Sequence, residues 1–262
     1  MAIPHPLSRN RGRYLGETLD IDAVQRETLA AAITHHWRVE PFLDQADVQL
    51  VGLCRPVPEP RRRAYVSAGI HGDEPAGPLA LLELLAENVW PVDCELWLCP
   101  CLNPSGFRGN TRENASGRDL NRDYLHVTSP EVRAHINLLK SWPAFDLTIC
   151  LHEDWEAKGF YLYELNETNL PSFAETVVAE VARVCPIDPS LDIDGRPARQ
   201  GIIRPSADPR SRPEWPEAFY LFQHHAKLGM TLEAPSDFAL AVRVAALKAA
   251  VRAAMASLPA RP

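Results

Sequence analysis

The sequence predicts an α/β protein, a three-layer α/β/α sandwich with a mixed, mostly parallel central sheet. Short apolar or alternating segments of strand type are separated by longer segments whose apolar residues recur at helical spacing. The 262 residues, 46% hydrophobic and 23% charged, are enough to bury a substantial core. No linker, repeat or composition change divides the chain, so we expect a single domain over 1–262.

Local signals justify these elements in chain order. Residues 1–20 lack periodicity and form an irregular lead-in. Pro75 lies near the start of the second helix, where a missing N–H costs nothing. Ser129 followed by Pro130 is typical of a capped helix start. The predicted helices cover 22–37, 75–89, 129–142, 171–184 and 236–255, and the predicted strands cover 48–57, 63–70, 94–102, 145–153, 159–165 and 227–235.

Two stretches have little periodicity. Residues 103–128 are rich in glycine and asparagine and read as a loop. Residues 186–216 are dense in proline, arginine and aspartate, and are longer than most connections in compact domains. We interpret 186–216 as a loop that either forms a substrate pocket or makes an irregular surface excursion. Its arginines would make such a pocket selective for acidic groups: Arg196, Arg199, Arg204, Arg210 and Arg212.

Composition excludes several classes of protein. The formal net charge of −7 argues against a nucleic-acid binder. No apolar run approaches the ~18 residues that a membrane span needs, and residues 1–14 lack the apolar region of a secretory signal. The six cysteines show no C-x-x-C spacing, so we expect buried, reduced thiols in a cytoplasmic protein. These patterns leave the oligomeric state open.

Side chains capable of metal binding or acid–base chemistry stand where three predicted strands end. His71 and Glu74 follow the second strand, His152 ends the fourth, and Glu233 lies near the end of the last. Binding sites in open α/β sheets form at the carboxyl ends of strands. Two histidines and a glutamate are an established ligand set for catalytic zinc, with Gly72 relieving the backbone between the first two. Alone, His71 and Glu74 would equally fit a polar turn that starts a helix.

The loop that follows the third strand carries a cluster of arginines. Arg112, Arg118 and Arg122 lie close together in sequence, beside Asp119 and Asn121. Guanidinium groups match the geometry of a carboxylate or a developing oxyanion. The loop is therefore expected to bind anionic groups near the strand ends.

The chain resembles the zinc carboxypeptidase family, which has the fold of carboxypeptidase A. The motifs "HGDE", "NPSGF", "TREN", "GRDLNRDY", "LHE" and "TLEAP" occur in the family's order over roughly residues 62 to 240. The resemblance extends to murein peptide amidases and to the succinylglutamate desuccinylase and aspartoacylase deacylases.

The resemblance implies a role for each matching residue. One zinc ion per chain would be bound by His71, Glu74 and His152, with Asp119 orienting the His71 imidazole. The implied catalytic residues are Glu233, as general base toward the water that zinc activates, and Arg112, which polarises the scissile carbonyl and stabilises the oxyanion. The implied binding pair for the substrate carboxylate is Asn121 and Arg122. Tyr220 lies in roughly the region of the family's mobile tyrosine, but its surroundings do not establish the match.

The implied activity is hydrolysis of an amide bond next to a free carboxylate. A metallocarboxypeptidase acting on small peptides is the leading form, and an N-acyl amino acid deacylase is the alternative. Residues 234–262 read as helix and leave no room for the C-terminal β-domain expected of a deacylase. A binding protein that keeps the fold without catalysis is the alternative of another class.

Overall fold

The computed structural model describes residues 4–10, 17–45, 48–208 and 213–261. Within these ranges one ten-stranded sheet is flanked by helices, which confirms the predicted α/β class. Parts of the predicted lead-in, and Arg210 and Arg212, lie outside the described residues. The helices are α1 Ile21–Thr34, α2 Ala76–Glu87, α3 Pro104–Gly109, α4 Pro130–Ser141, α5 Ala174–Val181, α6 Glu217–His224 and α7 Leu240–Ser257. The strands are β1 Arg38–Gln45, β2 Val48–Arg55, β3 Arg62–Ala68, β4 Cys94–Cys99, β5 Leu147–Asp154, β6 Tyr161–Asn166, β7 Asp192–Ile193, β8 Arg196–Arg199, β9 Ile202–Ile203 and β10 Leu228–Pro235.

The sheet is parallel at its centre and mixed at its flanks. Its strand order is β1-β2-β4-β3-β5-β10-β6-β9-β8-β7. Strands β4, β3, β5 and β10 run parallel to one another. On one flank β2 and β1 continue antiparallel, and on the other β6 pairs antiparallel with β10. The parallel centre brings the carboxyl ends of β3, β5 and β10 to one edge.

The two faces of the sheet bury different cores. Helices α1, α2, α5 and α7 pack on one face against residues such as Val66, Ile149 and Leu232. Helices α4 and α6 cover the other face, around Tyr65 and Cys150. Successive residues of a strand point to opposite faces of the sheet. Tyr65 and Cys150, which adjoin Val66 and Ile149 in sequence, therefore face α4 and α6.

Helix starts follow the signals in the sequence. Ser129 is the N-cap of α4, where its hydroxyl accepts a hydrogen bond from the N–H of Val132 at 3.4 Å, and Pro130 is the first helical residue. Asp20 caps α1 by accepting from the N–H of Ala23 at 3.0 Å. These contacts satisfy N–H groups that have no partner within the first turn. No helix among the described residues is long and apolar enough to cross a bilayer.

The prediction of loop structure throughout 186–216 is wrong. The segment contributes β7, β8 and β9, and β7–β8 is an antiparallel hairpin whose turn residues Asp194 and Gly195 have φ values of 52° and 65°. Strand β9 pairs with β6 and joins the hairpin to the sheet. Three further elements, β1, α3 and α6, are absent from the sequence prediction.

Candidate active site

The candidate site lies at the edge where β3, β5 and β10 end. His71 and Glu74 occupy the turn between β3 and α2, and His152 lies in the last part of β5. Glu233 of β10 is the register partner of His152 in the parallel β5–β10 pair. Register partners point to the same face of a sheet, so both side chains face the same cavity.

His71, Glu74 and His152 form one compact, buried cluster of potential metal ligands among the described residues. One ligand atom from each lies within 4.8 Å of the others. Glu74 Oε1 is 2.5 Å from His71 Nδ1, and Glu74 Oε2 is 2.9 Å from His152 Nδ1. Two imidazole nitrogens and a carboxylate so arranged fit the donor set that zinc prefers.

The atoms around this cluster also fit a metal site. Asp119 Oδ1 lies 3.4 Å from His71 Nε2, the ring nitrogen that faces away from Glu74. Among the described residues, His71 Nε2 is a buried nitrogen without a hydrogen bond. A carboxylate beside the outer nitrogen is the arrangement that orients a metal-binding imidazole. The residues therefore suit a divalent ion on the Nδ1 side of His71.

Charge coupling within the cluster shifts the pKa of each member. Burial raises the pKa of Glu74, yet the adjacent imidazoles outweigh burial and hold it well below its usual value. Burial opposes a charged His71, but the carboxylates of Glu74 and Asp119 raise its pKa overall. Burial lowers the pKa of His152. The ionised carboxylate and a readily deprotonated imidazole are the forms that bind metal.

Gly72 is required by packing. A Cβ atom at Gly72 would lie 2.0 Å from the carbonyl carbon of Gly106 in α3. Its φ is outside the left-handed region, so the expected relief of the backbone is not the reason for glycine here. Asn103, the N-cap of α3, donates from Nδ2 to the carbonyl of Ile70 at 3.1 Å and thereby ties the helix to the end of β3.

Arg112 lies beside the ligand cluster. Its Nε donates to Asp119 Oδ2 at 2.9 Å, and its Nη1 lies 3.3 Å from His71 Nδ1 and 3.8 Å from Glu74 Oε1. Burial disfavours the charged guanidinium, but the carboxylates of Asp119 and Glu74 together outweigh burial and raise the pKa of Arg112. A fixed positive charge thus stands within reach of the cavity.

Asn121 and Arg122 lie in a 3₁₀ turn at Leu120–Arg122, which Asp119 caps by accepting from the Asn121 N–H at 2.9 Å. Asn121 Oδ1 accepts from the N–H of Glu217 at 2.8 Å. That contact leaves the amide nitrogen as the donor that Asn121 can offer to a ligand. Arg122 is half-exposed in the cavity, with Nε 3.9 Å from Glu214.

All seven predicted metal, catalytic and carboxylate-binding residues line a single cavity of about 1130 Å³. Glu233 is partly exposed in this cavity. Burial is the main cause that raises its pKa well above the usual value, and the charges of Glu74 and Asp154 raise it further. A second part of the cavity lining, here called the hairpin wall, comes from residues 188–196. It contributes three carboxylates, those of Asp188, Asp192 and Asp194.

The structure bears on two points about the cavity that the sequence left open. Tyr220 is 7% exposed and packs against Tyr124 at a ring distance of 5.6 Å, away from the cavity lining. Of the described arginines in 186–216, Arg196 lines the cavity, whereas Arg204 pairs with Glu164 on β6. Among the described residues of this segment, more carboxylates than guanidinium groups line the cavity, because aspartate occupies the hairpin positions.

Several cavity residues escaped the sequence analysis. Tyr161 donates to Asp154 Oδ2 at 3.0 Å, and Tyr163 donates to Asp194 Oδ2 at 2.9 Å. Their alternation in "GFYLYEL" places both rings on one face of β6, and that pattern was a usable signal. Glu153, next to His152, makes a buried network that no local motif reveals.

A family model supplies the first comparison. The succinylglutamate desuccinylase/aspartoacylase catalytic domain matches residues 60–183. Carboxypeptidase SOL1 of Arabidopsis thaliana is 33% identical over a part that covers 27% of this chain. The chain covers 19% of the length of that curated relative.

Solved structures extend the likeness to nearly the whole chain. A protein of Shewanella amazonensis SB2B assigned as a metallopeptidase has a TM-score of 0.79 at 25% identity, over 91% of this chain and 93% of that chain. A metallo-carboxypeptidase of Burkholderia cenocepacia has a TM-score of 0.68 at 18% identity, over 91% of this chain and 69% of that chain.

The fold is therefore that of the metallo-carboxypeptidases. The family model, the fold and the His-Glu-His cluster together make the chain similar to the zinc carboxypeptidase-like proteins. Its relatives by family and by fold are metallocarboxypeptidase-like hydrolases.

Proposed function

We propose that this protein is a zinc-dependent hydrolase that cleaves an amide bond next to a free carboxylate. Its leading form is a metallocarboxypeptidase that acts on small peptides with one zinc ion per chain. The observation that carries the proposal is the convergence of the ligand cluster, Glu233 and two arginines on one cavity.

Each protein group has a distinct task in this proposal. Zinc, when bound by His71, Glu74 and His152, supplies a Lewis acid that activates water and polarises the carbonyl. Glu233 accepts a proton from the attacking water and returns it to the leaving nitrogen. Its raised pKa suits this task, because a carboxylate that burial makes more basic takes up a proton more readily.

The two arginines stabilise different negative charges, one on the substrate and one that develops in the transition state. Arg112, adjacent to the ligand cluster, stabilises the oxyanion that develops on the scissile carbonyl. Arg122 and the Asn121 amide bind the substrate's terminal carboxylate with charge-assisted hydrogen bonds. That contact selects substrates whose carboxylate adjoins the scissile bond.

The family model favours a second candidate, an N-acyl amino acid deacylase. In that reaction the bound carboxylate belongs to the amino acid product. The hairpin wall disfavours acyl groups that carry a second carboxylate, because Asp192 and Asp194 would repel them. We therefore rank the peptidase first.

Hydrolysis of matched substrates tests the proposal. Zinc-loaded protein is assayed on a short peptide, on the same peptide as its C-terminal amide, and on N-acetyl and N-succinyl amino acids. We expect the free peptide to be the preferred substrate. Arg122→Met should raise KM for it by about 10- to 100-fold, and the exposed neighbour Arg118→Met should leave KM unchanged.

Three outcomes contradict the proposal. If the protein holds less than about half an equivalent of zinc after metal-replete preparation, the proposed metal site is wrong. If the peptide and its C-terminal amide are hydrolysed at equal rates, the enzyme does not require a free carboxylate. Faster hydrolysis of the N-acyl amino acids selects the deacylase.

We also propose a cytoplasmic location. All six cysteines are buried and free, which suits a reducing compartment. Fractionation of cells that produce the full-length protein checks this, and recovery outside the cytoplasm contradicts it.

A further inference from the structure

Glu153 lies directly after the proposed ligand His152, but its side chain belongs to a different environment. Residues 152 and 153 point to opposite faces of β5, so Glu153 continues the face of Leu151, toward α2 and α7. Its side chain is 0% exposed. A fully buried carboxylate cannot bind substrate, so any role it has in the reaction is exerted through other residues.

The Glu153 carboxylate joins the segments that carry the candidate site. Oε1 accepts from the N–H of Ala76, the first residue of α2, at 2.6 Å. Oε2 accepts from Ser236 Oγ, just beyond the end of β10, at 3.3 Å. The Glu153 N–H donates to Glu74 Oε2 at 3.1 Å. One residue thus contacts Glu74 directly and also holds the segments that continue from Glu74 and Glu233.

Arg243 of α7 fixes the position of this carboxylate. Its Nη1 pairs with Glu153 Oε2, its Nη2 pairs with Glu17, and its side chain is also 0% exposed. A charge buried this completely requires its partner, because removing one partner leaves an uncompensated charge in the interior. Helix α7 packs against both α2 and β10. The ion pair therefore fixes α7, the start of α2 and the ends of β5 and β10 relative to one another.

We propose that the Glu153–Arg243 ion pair is a positioning device for the metal ligands and holds Glu74 at a fixed distance from His152. This inference rests on the proposed metal site. A buried ion pair is often replaceable without loss of stability, so stability alone does not account for its placement. Partners behind metal ligands affect metal affinity, typically by 10- to 100-fold.

The experiment measures metal binding in Glu153→Gln and in the double variant Glu153→Gln/Arg243→Met. The single variant keeps an acceptor for the Ala76 N–H and removes the charge, and the double variant removes both charges. Zinc affinity is measured by competition with a chromophoric chelator. The absorption spectrum of bound cobalt(II) reports ligand geometry, and circular dichroism reports the fold.

The matched control is Glu164→Gln. Glu164 is also a buried carboxylate paired with an arginine, with Oε2 2.7 Å from Arg204 Nε, but it lies on β6 away from the ligands. We expect zinc affinity to fall about 10- to 100-fold in both Glu153 variants, with an altered cobalt spectrum. The control should lower thermal stability and leave both metal readouts unchanged.

The outcomes separate this inference from the proposed function. If wild-type protein binds zinc, and the Glu153 variants bind it with the same affinity and cobalt spectrum, the positioning role is overturned and the function stands. If Glu153→Gln does not fold, the double variant decides in the same way. If wild-type protein binds no zinc, the proposed function fails and this inference fails with it.

Discussion

The cavity has two walls that differ in how their side chains are held. On the sheet side, His71, Glu74 and His152 are at most 7% exposed and contact one another directly. On the hairpin wall, the Asp194 side chain is 66% exposed and lies in a two-residue turn. The groups proposed for chemistry are thus fixed by the packed sheet. The groups that would meet the rest of a substrate lie on a connecting segment, where sequence change disturbs the fold least.

The largest expected effect concerns Glu233 on the sheet side. Glu233→Gln should lower turnover by about 10²–10⁴-fold while zinc content stays at the wild-type level, because glutamine cannot accept the proton. Steady-state kinetics and metal analysis measure the two quantities. Glu156→Gln, an exposed carboxylate at the same cavity, is the control. Activity near wild type in Glu233→Gln would show that the base lies elsewhere.

Arg112 gives the next largest effect. Arg112→Met should lower kcat by on the order of 10²–10³ with a smaller change in KM, because the charge acts on the developing oxyanion. Arg118→Met, in the same loop and exposed, should behave as wild type. A change confined to KM would assign Arg112 to substrate binding.

The pH dependence of activity links Glu233 to Asp154, which lies two residues after the proposed ligand His152. Burial, then the charges of Glu74 and Asp154, raise the pKa of Glu233. A general base must be ionised, so activity should fall as pH drops through this raised value. Asp154→Asn removes one of the negative charges and should move the acidic limb of the kcat/KM profile to lower pH. If the acidic limb stays in place or moves to higher pH, it does not report the ionisation of Glu233.

The smallest effect is expected on the hairpin wall. Asp194→Asn should change the preference for basic over acidic substrate side chains by about two- to fivefold, as expected for an exposed charge. Asp44→Asn, on the exposed edge strand β1, is the control. A loss of turnover as large as that in Arg112→Met would show that the hairpin wall belongs to the catalytic machinery.

Part of the candidate site was accessible from the sequence because His71, His152 and Glu233 each stand at or near the end of an apolar run that periodicity identifies as a strand, whereas Arg112, Asn121 and Arg122 were assigned through the family resemblance. His71, His152 and Glu233 could be placed at one edge once the sheet was taken to be parallel at its centre. Their convergence on one cavity follows from that topology.

The missed elements have physical reasons. In α6 the run Phe219–Phe222 is apolar on all sides, so no helical period is visible. Pro41 and a register shift interrupt β1, as an edge strand tolerates. Strands of two to four residues are too short to show alternation, so β7, β8 and β9 read as loop.

The Glu153–Arg243 pair was invisible for another reason. Glu153 reads as one more acid in "HEDWE", and its partner lies in a helix that is distant in sequence. Local patterns report which face of an element is apolar, but not which buried charge meets which.

The parallel pairing of β5 with β10 has a consequence for folding. His152 and Glu233 become neighbours only when two strands distant in sequence pair in one register, and a slip of one residue would turn Glu233 to the opposite face. Contacts of such high sequence separation form slowly because a long loop must close first. Zinc bound by His71, Glu74 and His152 would add to the stability of any chain in which β3 and β5 have paired, so acquisition of the metal would not by itself report that Glu233 has reached its place.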